Sequence, residues 1–209
     1  MARIEPFEQY SEKYEDWFEK NKFVYGSEIQ AIKELFPKLK KSIEIGVGSG
    51  KFAVPLGIKT GVDPSPRMRN IAQQRGIEVI DAIAEELPFK DSQFELVLMV
   101  TTICFVDNLN LTFREAYRIL KLGGYLIIGF VDKDSSLGKL YEQHKKNSVF
   151  YKIATFYSVK EVIYNLNKVG FKEFSFRQTI FHNLDEIKNV EPIKEGYGEG
   201  SFVVISARK

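Results

Sequence analysis

The sequence predicts an α/β fold: a doubly wound, mostly parallel open sheet of seven strands, with an N-terminal helical cap and an insertion after the fifth strand. Three observations carry this. Short apolar runs alternate with segments of helical periodicity along most of the chain. Residues 96–100 and 125–130 are almost continuously apolar, which suits central parallel strands buried on both faces. The run 42–45 ends in three glycines on alternate positions, Gly46, Gly48 and Gly50, where a strand can turn sharply.

Each element follows from its local pattern. Phe7, Tyr10, Tyr14, Trp17 and Phe18 recur at helical spacing and give one aromatic face to an otherwise charged N-terminal helix. A second helix is predicted from Ser27, where Ser27-x-x-Gln30 reads as a capping box, to about Phe36, with Pro37 behind it. The first strand follows and ends in the glycines. Helix-forming stretches after that bend and after Pro66 alternate with apolar runs at 58–62 and 77–80, a βαβ rhythm. Leu109, Phe113, Ala116 and Leu120 mark the crossover helix that the parallel neighbours 96–100 and 125–130 need.

From 132 to 157 the pattern breaks into a polar stretch studded with Tyr141, His144, Phe150, Tyr151, Phe156 and Tyr157. An insertion after a central strand of an open sheet lies at the carboxyl edge, where ligands bind, so this one is read as a lid. A surface helical hairpin without ligand contact is the alternative. Ser158-x-x-Glu161 is another capping box, and Val159, Ile163, Leu166 and Val169 give its helix an apolar face up to a stop at Gly170. Strands at 171–181 and 202–207 complete the sheet, and the polar, glycine-bearing segment 186–200 reads as a mobile loop. No repeat or linker interrupts the chain. A single domain over 1–209 is expected, with N-terminal helices 1–40, a core 41–131, the insertion 132–157, and the last helix and strands 158–209.

Composition narrows the function classes. Thirty basic residues nearly balance 28 acidic ones, for a net charge of +2, so no long nucleic acid is expected as partner. The single cysteine, Cys104, excludes an intramolecular disulfide and a cysteine-rich zinc site and fits a reducing, cytoplasmic compartment. No apolar run approaches the ~18 residues of a membrane span, and residues 1–20 are too polar for a signal peptide. No pair of His, Cys or carboxylate residues has metal-ligand spacing, so no metal is expected.

Spacing decides between readings of the glycine bend. A dinucleotide fingerprint needs a small third residue at position 51, which is Lys51; a P-loop would need its first Gly at Ile45 and its hydroxyl at Phe52. The pattern that fits is E-x-G-x-G-x-G, from Glu44 to Gly50, with a turn serving only chain reversal as the alternative. It resembles the first motif of the class I S-adenosylmethionine-dependent methyltransferases. Ordered downstream segments strengthen that resemblance: an acid, Asp63, closing the second strand in Gly61-Val62-Asp63-Pro64-Ser65; Ala84-Glu85-Glu86-Leu87-Pro88-Phe89; Phe94-Glu95-Leu96-Val97-Leu98-Met99; and Arg114-Glu115-Ala116-Tyr117-Arg118-Ile119-Leu120-Lys121-Leu122-Gly123-Gly124. The last three are similar to segments of the ubiquinone/menaquinone-biosynthesis-like, small-molecule branch.

The resemblance implies a Rossmann-like sheet, S-adenosyl-L-methionine as cofactor, and methyl transfer to a small-molecule acceptor by in-line displacement. It implies that Glu44, Gly46, Val47, Gly48 and Gly50 hold the methionyl portion, with Val100 and Thr101 approaching it. Asp63 would hold the ribose, with Ala84 and Glu85 at the adenine edge and Pro64 and Met68 against the adenine face. Asp63 also reads as the N-cap of the next helix. The chain departs from the family at Ile83, where many relatives carry an acid; Asp81 and Glu85 are its nearest substitutes. Tyr14, Trp17, Phe105, Tyr141, His144 and Tyr157 are the acceptor-side candidates, each with ordinary packing or solvation as its alternative. No N/D-P-P-Y/F segment follows the fourth strand, so resemblance to amino-group methylases of adenine or glutamine fails, and no Pro-Cys pair occurs, which removes the usual arrangement of cytosine-carbon methylases. A nicotinamide-dependent oxidoreductase and a non-catalytic cofactor-binding protein remain the rival classes.

Overall fold

Successive residues of the buried strand Phe94–Val100 point to opposite faces, as a period of two requires. Val97 and Met99 enter one core with Phe113, Ala116, Val162 and Leu166; Leu96, Leu98 and Val100 enter another with Phe18, Ile29, Ile32 and Ala72. The sheet is therefore covered on both faces. The structure is a computed structural model and describes residues 4–37 and 41–209. The expected boundary at residue 40 lies outside the described residues.

The helices are α1 (Glu5–Gln9), α2 (Ser11–Lys20), α3 (Lys22–Leu35), α4 (Ala53–Leu56), α5 (Pro66–Gln74), α6 (Leu109–Ile119), α7 (Ser136–His144) and α8 (Val159–Val169). The strands are β1 (Ser42–Ile45), β2 (Thr60–Val62), β3 (Glu78–Ile80), β4 (Phe94–Val100), β5 (Leu120–Val131), β6 (Lys172–Thr179), β7 (Lys194–Glu195) and β8 (Phe202–Arg208). Their order is β3-β2-β1-β4-β5-β8-β6-β7. The pairs from β3 to β5 are parallel, whereas β8 runs antiparallel to both β5 and β6. The chain leaves β1 toward β2 and then crosses back to β4, so the carboxyl ends of β1 and β4 flank the switch point. Among the described residues no helix is long and apolar enough to cross a membrane.

Several elements differ from the sequence reading. Eight strands form the sheet, because Lys194–Glu195 pairs with β6 inside the segment read as a mobile loop. That segment is pinned: buried Gln178 accepts the amides of Glu199 and Gly200 at 2.8 and 2.7 Å. The N-terminal aromatic face is carried by two helices, broken at Tyr10 (φ −124°, ψ 32°). Leu120 opens β5 rather than closing α6, and pairs with Phe94.

Ser27 starts no helix either. It sits inside α3, fully buried, where its hydroxyl donates to the Phe23 carbonyl at 2.7 Å and accepts the Glu191 amide at 2.8 Å. A serine offers the same back-bond to the preceding turn that it offers at a cap, and tertiary packing chose the former. Ser158, by contrast, forms the complete capping box with Glu161, and Gly170 ends α8 at φ +115°. Ser27→Ala improves local helix propensity but leaves the Glu191 amide without its acceptor. A loss of about 1–3 kcal/mol is expected for a buried donor left unsatisfied. Urea denaturation will show it, together with faster amide exchange at 180–193; unchanged stability would contradict the account.

Candidate active site

Local strain builds the floor of the site. β1 ends at Ile45 and the chain turns at Gly46, where φ is +68°. A Cβ at Gly46 would lie 2.4 Å from Thr102 Cγ2, so only glycine lets the loop after β4 close onto the end of β1. The Thr102 hydroxyl is shared between the carbonyls of Ile45 and Val100, 3.1 Å from each. Thr101, just before it, is β-branched yet held at φ +53° by its amide bond to the Gly129 carbonyl (2.8 Å). Such a conformation costs about 1–3 kcal/mol and persists where surrounding bonds over-determine it.

Above this floor an open cleft lies at the carboxyl ends of β1, β2, β3 and β4. Eleven of the expected residues line it: Gly46, Gly48, Asp63, Pro64, Met68, Ala84, Glu85, Val100, Thr101, Tyr14 and Phe105. Glu44, Val47 and Gly50 do not. Val47 packs against Gly61, and Gly50 leaves room for Ile77, whose Cδ1 would lie 2.4 Å from a Cβ there. Glu44 is buried beneath the bend, held by the Ala53 amide, while its Oε2 has no hydrogen-bond partner among the described residues. Burial pushes its carboxyl well above the ordinary range.

Asp63 is the most constrained side chain of the cleft. Its Oδ2 accepts the Gly48 amide at 2.8 Å and its Oδ1 accepts the Ser65 amide at 2.9 Å. Burial pushes the carboxyl up to about 6, against the pull of those two amides and of Arg69. The helix cap expected of Asp63 belongs instead to Ser65, whose hydroxyl accepts the Met68 amide at 3.1 Å. The two substitutes considered for Ile83 are both committed elsewhere. Asp81 pairs with Arg69 at 2.9 Å, and Glu85 accepts the amides of Asp107 and Asn108 at 2.7 and 3.0 Å. Ile83 itself lines the cleft.

The N-terminal helices close over the bend. Glu15 binds Arg75, which donates to the Ser49 carbonyl at 2.7 Å, and Glu15 also lies 3.4 Å from Lys51. Burial raises the Glu15 carboxyl, but hydrogen bonds from Arg75 and Ser49 and the two positive charges outweigh it and hold the group below its usual range. The Tyr14 hydroxyl lies 3.1 Å from a Cβ built on Gly48; burial first, then the charges of Glu44, Asp63 and Glu15, push that phenol far up, so it stays protonated as a donor. Phe7 meets Phe105 at 5.0 Å and Phe150 at 5.5 Å between ring centres, so helix, post-β4 loop and insertion share one aromatic wall.

The other acceptor-side candidates stand apart from the cleft. Trp17 packs edge-on against Phe18, His144 is exposed at the end of α7, and Tyr141 joins Cys104, Ala154 and Phe156 in a small separate core. Tyr157 borders a second pocket of about 290 Å³. Phe150 of the insertion does not line the cleft but packs on Phe7 and Tyr14, which do. Ile4, Phe7, Ala82, Val106 and Asp107 line the cleft without having been singled out. Of these only Phe7 carried a signal, its place on the aromatic helical face.

Comparison with known proteins agrees with this geometry. Residues 43–128 match a family model described as a methyltransferase domain. The chain is similar to a crystal structure from Thermotoga maritima described as a SAM-dependent methyltransferase, possible histamine N-methyltransferase, at 53% identity and a TM-score of 0.96, covering 99% of each chain. It is 51% identical to an uncharacterized protein of Methanocaldococcus jannaschii, over 97% of this chain and 98% of that one. It is also 31% identical to a demethylmenaquinone methyltransferase of Chlorobaculum tepidum, over 60% of this chain and 55% of that one.

Glu15→Ala removes the carboxylate shared by Lys51 and Arg75 and should release the cap at a cost of about 1–2 kcal/mol, since charged hydrogen bonds are lost from a half-exposed site. Trp17, the sole tryptophan, reports on it: red-shifted emission and faster acrylamide quenching are expected. Identical spectra for the variant and the parent would show that these ion pairs do not hold α2.

Proposed function

Because the chain belongs to the S-adenosylmethionine-dependent methyltransferases, enzymes whose cofactor is S-adenosylmethionine, we propose that it methylates a small-molecule acceptor and holds the cofactor in the cleft between β1 and β4. Family membership favours this reading over the nicotinamide-dependent and non-catalytic alternatives, which no comparison supports. The observation that carries the site assignment is Asp63: a buried carboxylate, anchored by two backbone amides, that borders the cleft beside bare main chain.

The residues present fit the cofactor. Gly46 and Gly48 let a ligand lie against the backbone, and Asp63 retains acceptor capacity for ribose hydroxyls. Pro64, Met68, Ile83 and Ala84 offer apolar surface for a base. The unpartnered Glu44 oxygen beneath the bend is an acceptor left open, and an arriving ammonium would favour the ionised form that burial disfavours. When bound, the cofactor supplies a sulfonium-activated methyl group. The protein then has to orient the acceptor and exclude water, and correct placement alone can contribute up to roughly 7–11 kcal/mol. The aromatic wall of Phe7, Phe105 and Phe150 performs the second task. The relatives' names, a demethylmenaquinone methyltransferase and a possible histamine N-methyltransferase, concern different acceptors and support the small-molecule class they share.

A labelled-methyl screen against metabolite extracts tests the acceptor class, with Asp63→Asn as control. Label is expected in a small product with the parent protein and reduced at least tenfold with the variant; incorporation confined to protein or RNA would refute the reading. Binding should also depend on pH with a defined sign. Ribose hydroxyls favour ionised Asp63, whose carboxyl titrates at about 6 in the free protein, so affinity is full above neutrality and falls as pH drops through that value. Calorimetry with S-adenosylhomocysteine should show roughly tenfold weaker binding at pH 5 than at pH 8, and a flatter profile for Asp63→Asn. A flat profile in the parent protein would detach Asp63 from the ligand.

A further inference from the structure

The cleft is charged on one side only. Among the described residues it is lined by three carboxyl side chains, Asp63, Glu85 and Asp107, and by no Lys, Arg or His. Lys51 and Arg75, the cations above the glycine bend, bind Glu15 instead. A sulfonium and an α-ammonium suit such a lining, but the α-carboxylate at the same end of the cofactor meets no cation in it. The donors of the bend are spent as well: the Gly46 amide goes to the Val62 carbonyl at 2.9 Å and the Gly48 amide to Asp63 at 2.8 Å. The Thr102 hydroxyl is taken up by the carbonyls of Ile45 and Val100. Two lining hydroxyls take part in no hydrogen bond among the described residues, that of Thr101 at the end of β4 and that of Tyr14 over the bend. The phenol is the more acidic of the two and the stronger donor. Its oxygen stands 3.1 Å from the position of a Cβ on Gly48. Its ring packs edge-on against Phe7, Phe18 and Phe150, at 5.9, 5.1 and 6.1 Å between centres, so little freedom remains to be lost when a ligand arrives.

We propose that Tyr14 is a cofactor-binding residue whose hydroxyl donates to the α-carboxylate of the methionyl portion, an assignment that rests on the cofactor reading above and deepens it. Tyr14 thereby moves from the acceptor side of the cleft to the cofactor side. A hydrogen bond to an ionised acceptor is shorter and stronger than one between neutral groups, so a lone phenol can stand in for the missing cation. The neighbouring acids leave room for this bond. Glu15 is neutralised by Lys51 and Arg75, and burial favours the neutral form of Glu44. Burial of the phenol, then the charges of Glu44, Asp63 and Glu15, keep the Tyr14 proton in place and available to an anion. Because the hydroxyl has no partner in the free protein, Tyr14→Phe keeps the ring and its packing and removes only the donor.

Calorimetry on the parent protein and on Tyr14→Phe tests this with S-adenosylhomocysteine and its decarboxylated analogue, S-adenosyl-3-thiopropylamine, which keeps the ammonium and lacks only the carboxylate. The parent is expected to prefer S-adenosylhomocysteine by about tenfold or more. The variant should lose that preference, binding S-adenosylhomocysteine at least about tenfold more weakly and the analogue as the parent does. Thermal unfolding of the two free proteins should coincide. A preference kept by the variant would give the carboxylate to another donor, Thr101 first, and overturn the assignment. Equal weakening of both ligands, which is what lost packing produces, would overturn it too, as would a parent that binds the two alike. Where the analogue binds too weakly to measure, S-adenosylhomocysteine alone decides: a loss in the variant below about tenfold overturns the assignment, and a larger one at unchanged melting temperature sustains it. A parent protein that binds neither ligand would overturn the cofactor reading and this assignment with it.

Discussion

The site depends on the absence of one side chain. Thr102 occupies the volume that a Cβ of Gly46 would fill, and its hydroxyl bridges the last carbonyls of two neighbouring strands, β1 and β4. The strand ends are thereby locked at the switch point, and Thr101 is thrown into the left-handed region facing the cleft. A methyl group at position 46 would have to push the β4 loop outward. That loop carries Phe105, Val106 and Asp107, so the wall of the cleft would move with its floor.

Charge is distributed around this bend in a layered way. Beneath it lie two raised carboxyls, Glu44 and Asp63; above it the positive ends of Lys51 and Arg75 are neutralised by Glu15 rather than by those two groups. The cap is held by the part-buried ion pairs of Glu15 with Lys51 and Arg75. Of the two lower carboxyls only Asp63 borders the cleft, while Glu44 lies beneath the bend, and burial raises both. The charges that fasten the cap are thus different groups from the carboxyls below the bend.

The legible parts of the sequence were those in which backbone geometry dictates residue type. Gly46, Gly48 and Asp63 could be placed because a strand-to-loop turn and a strand-end acid leave a fixed spacing, and the β4 run because burial on both faces leaves a continuous apolar stretch. Ser27-x-x-Gln30 and Ser158-x-x-Glu161 look alike locally, yet only the second is a cap. What separates them is the Glu191 amide, 164 positions away in sequence, which no local pattern records. The same limit explains Val106 and Asp107, which line the cleft through packing alone, and Phe150, which backs its wall by packing on Phe7.

The segment that resembles E-x-x-R also finds a physical role. Glu115 accepts the Leu87 amide at 2.8 Å, and Arg118 donates to the carbonyls of Leu87 and Phe89 at 3.0 and 2.6 Å. The crossover helix α6 therefore clamps the A-E-x-L-P-F segment by its backbone, and Glu85 clamps the same segment to the β4 loop from the other side. With both ends fixed, Ile83 and Ala84 are presented to the cleft in a set position whatever their side chains. Asp81 is paired with Arg69, and one oxygen of Glu85 holds both loop amides, which leaves its other oxygen on a side chain that borders the cleft beside Ile83 and Ala84.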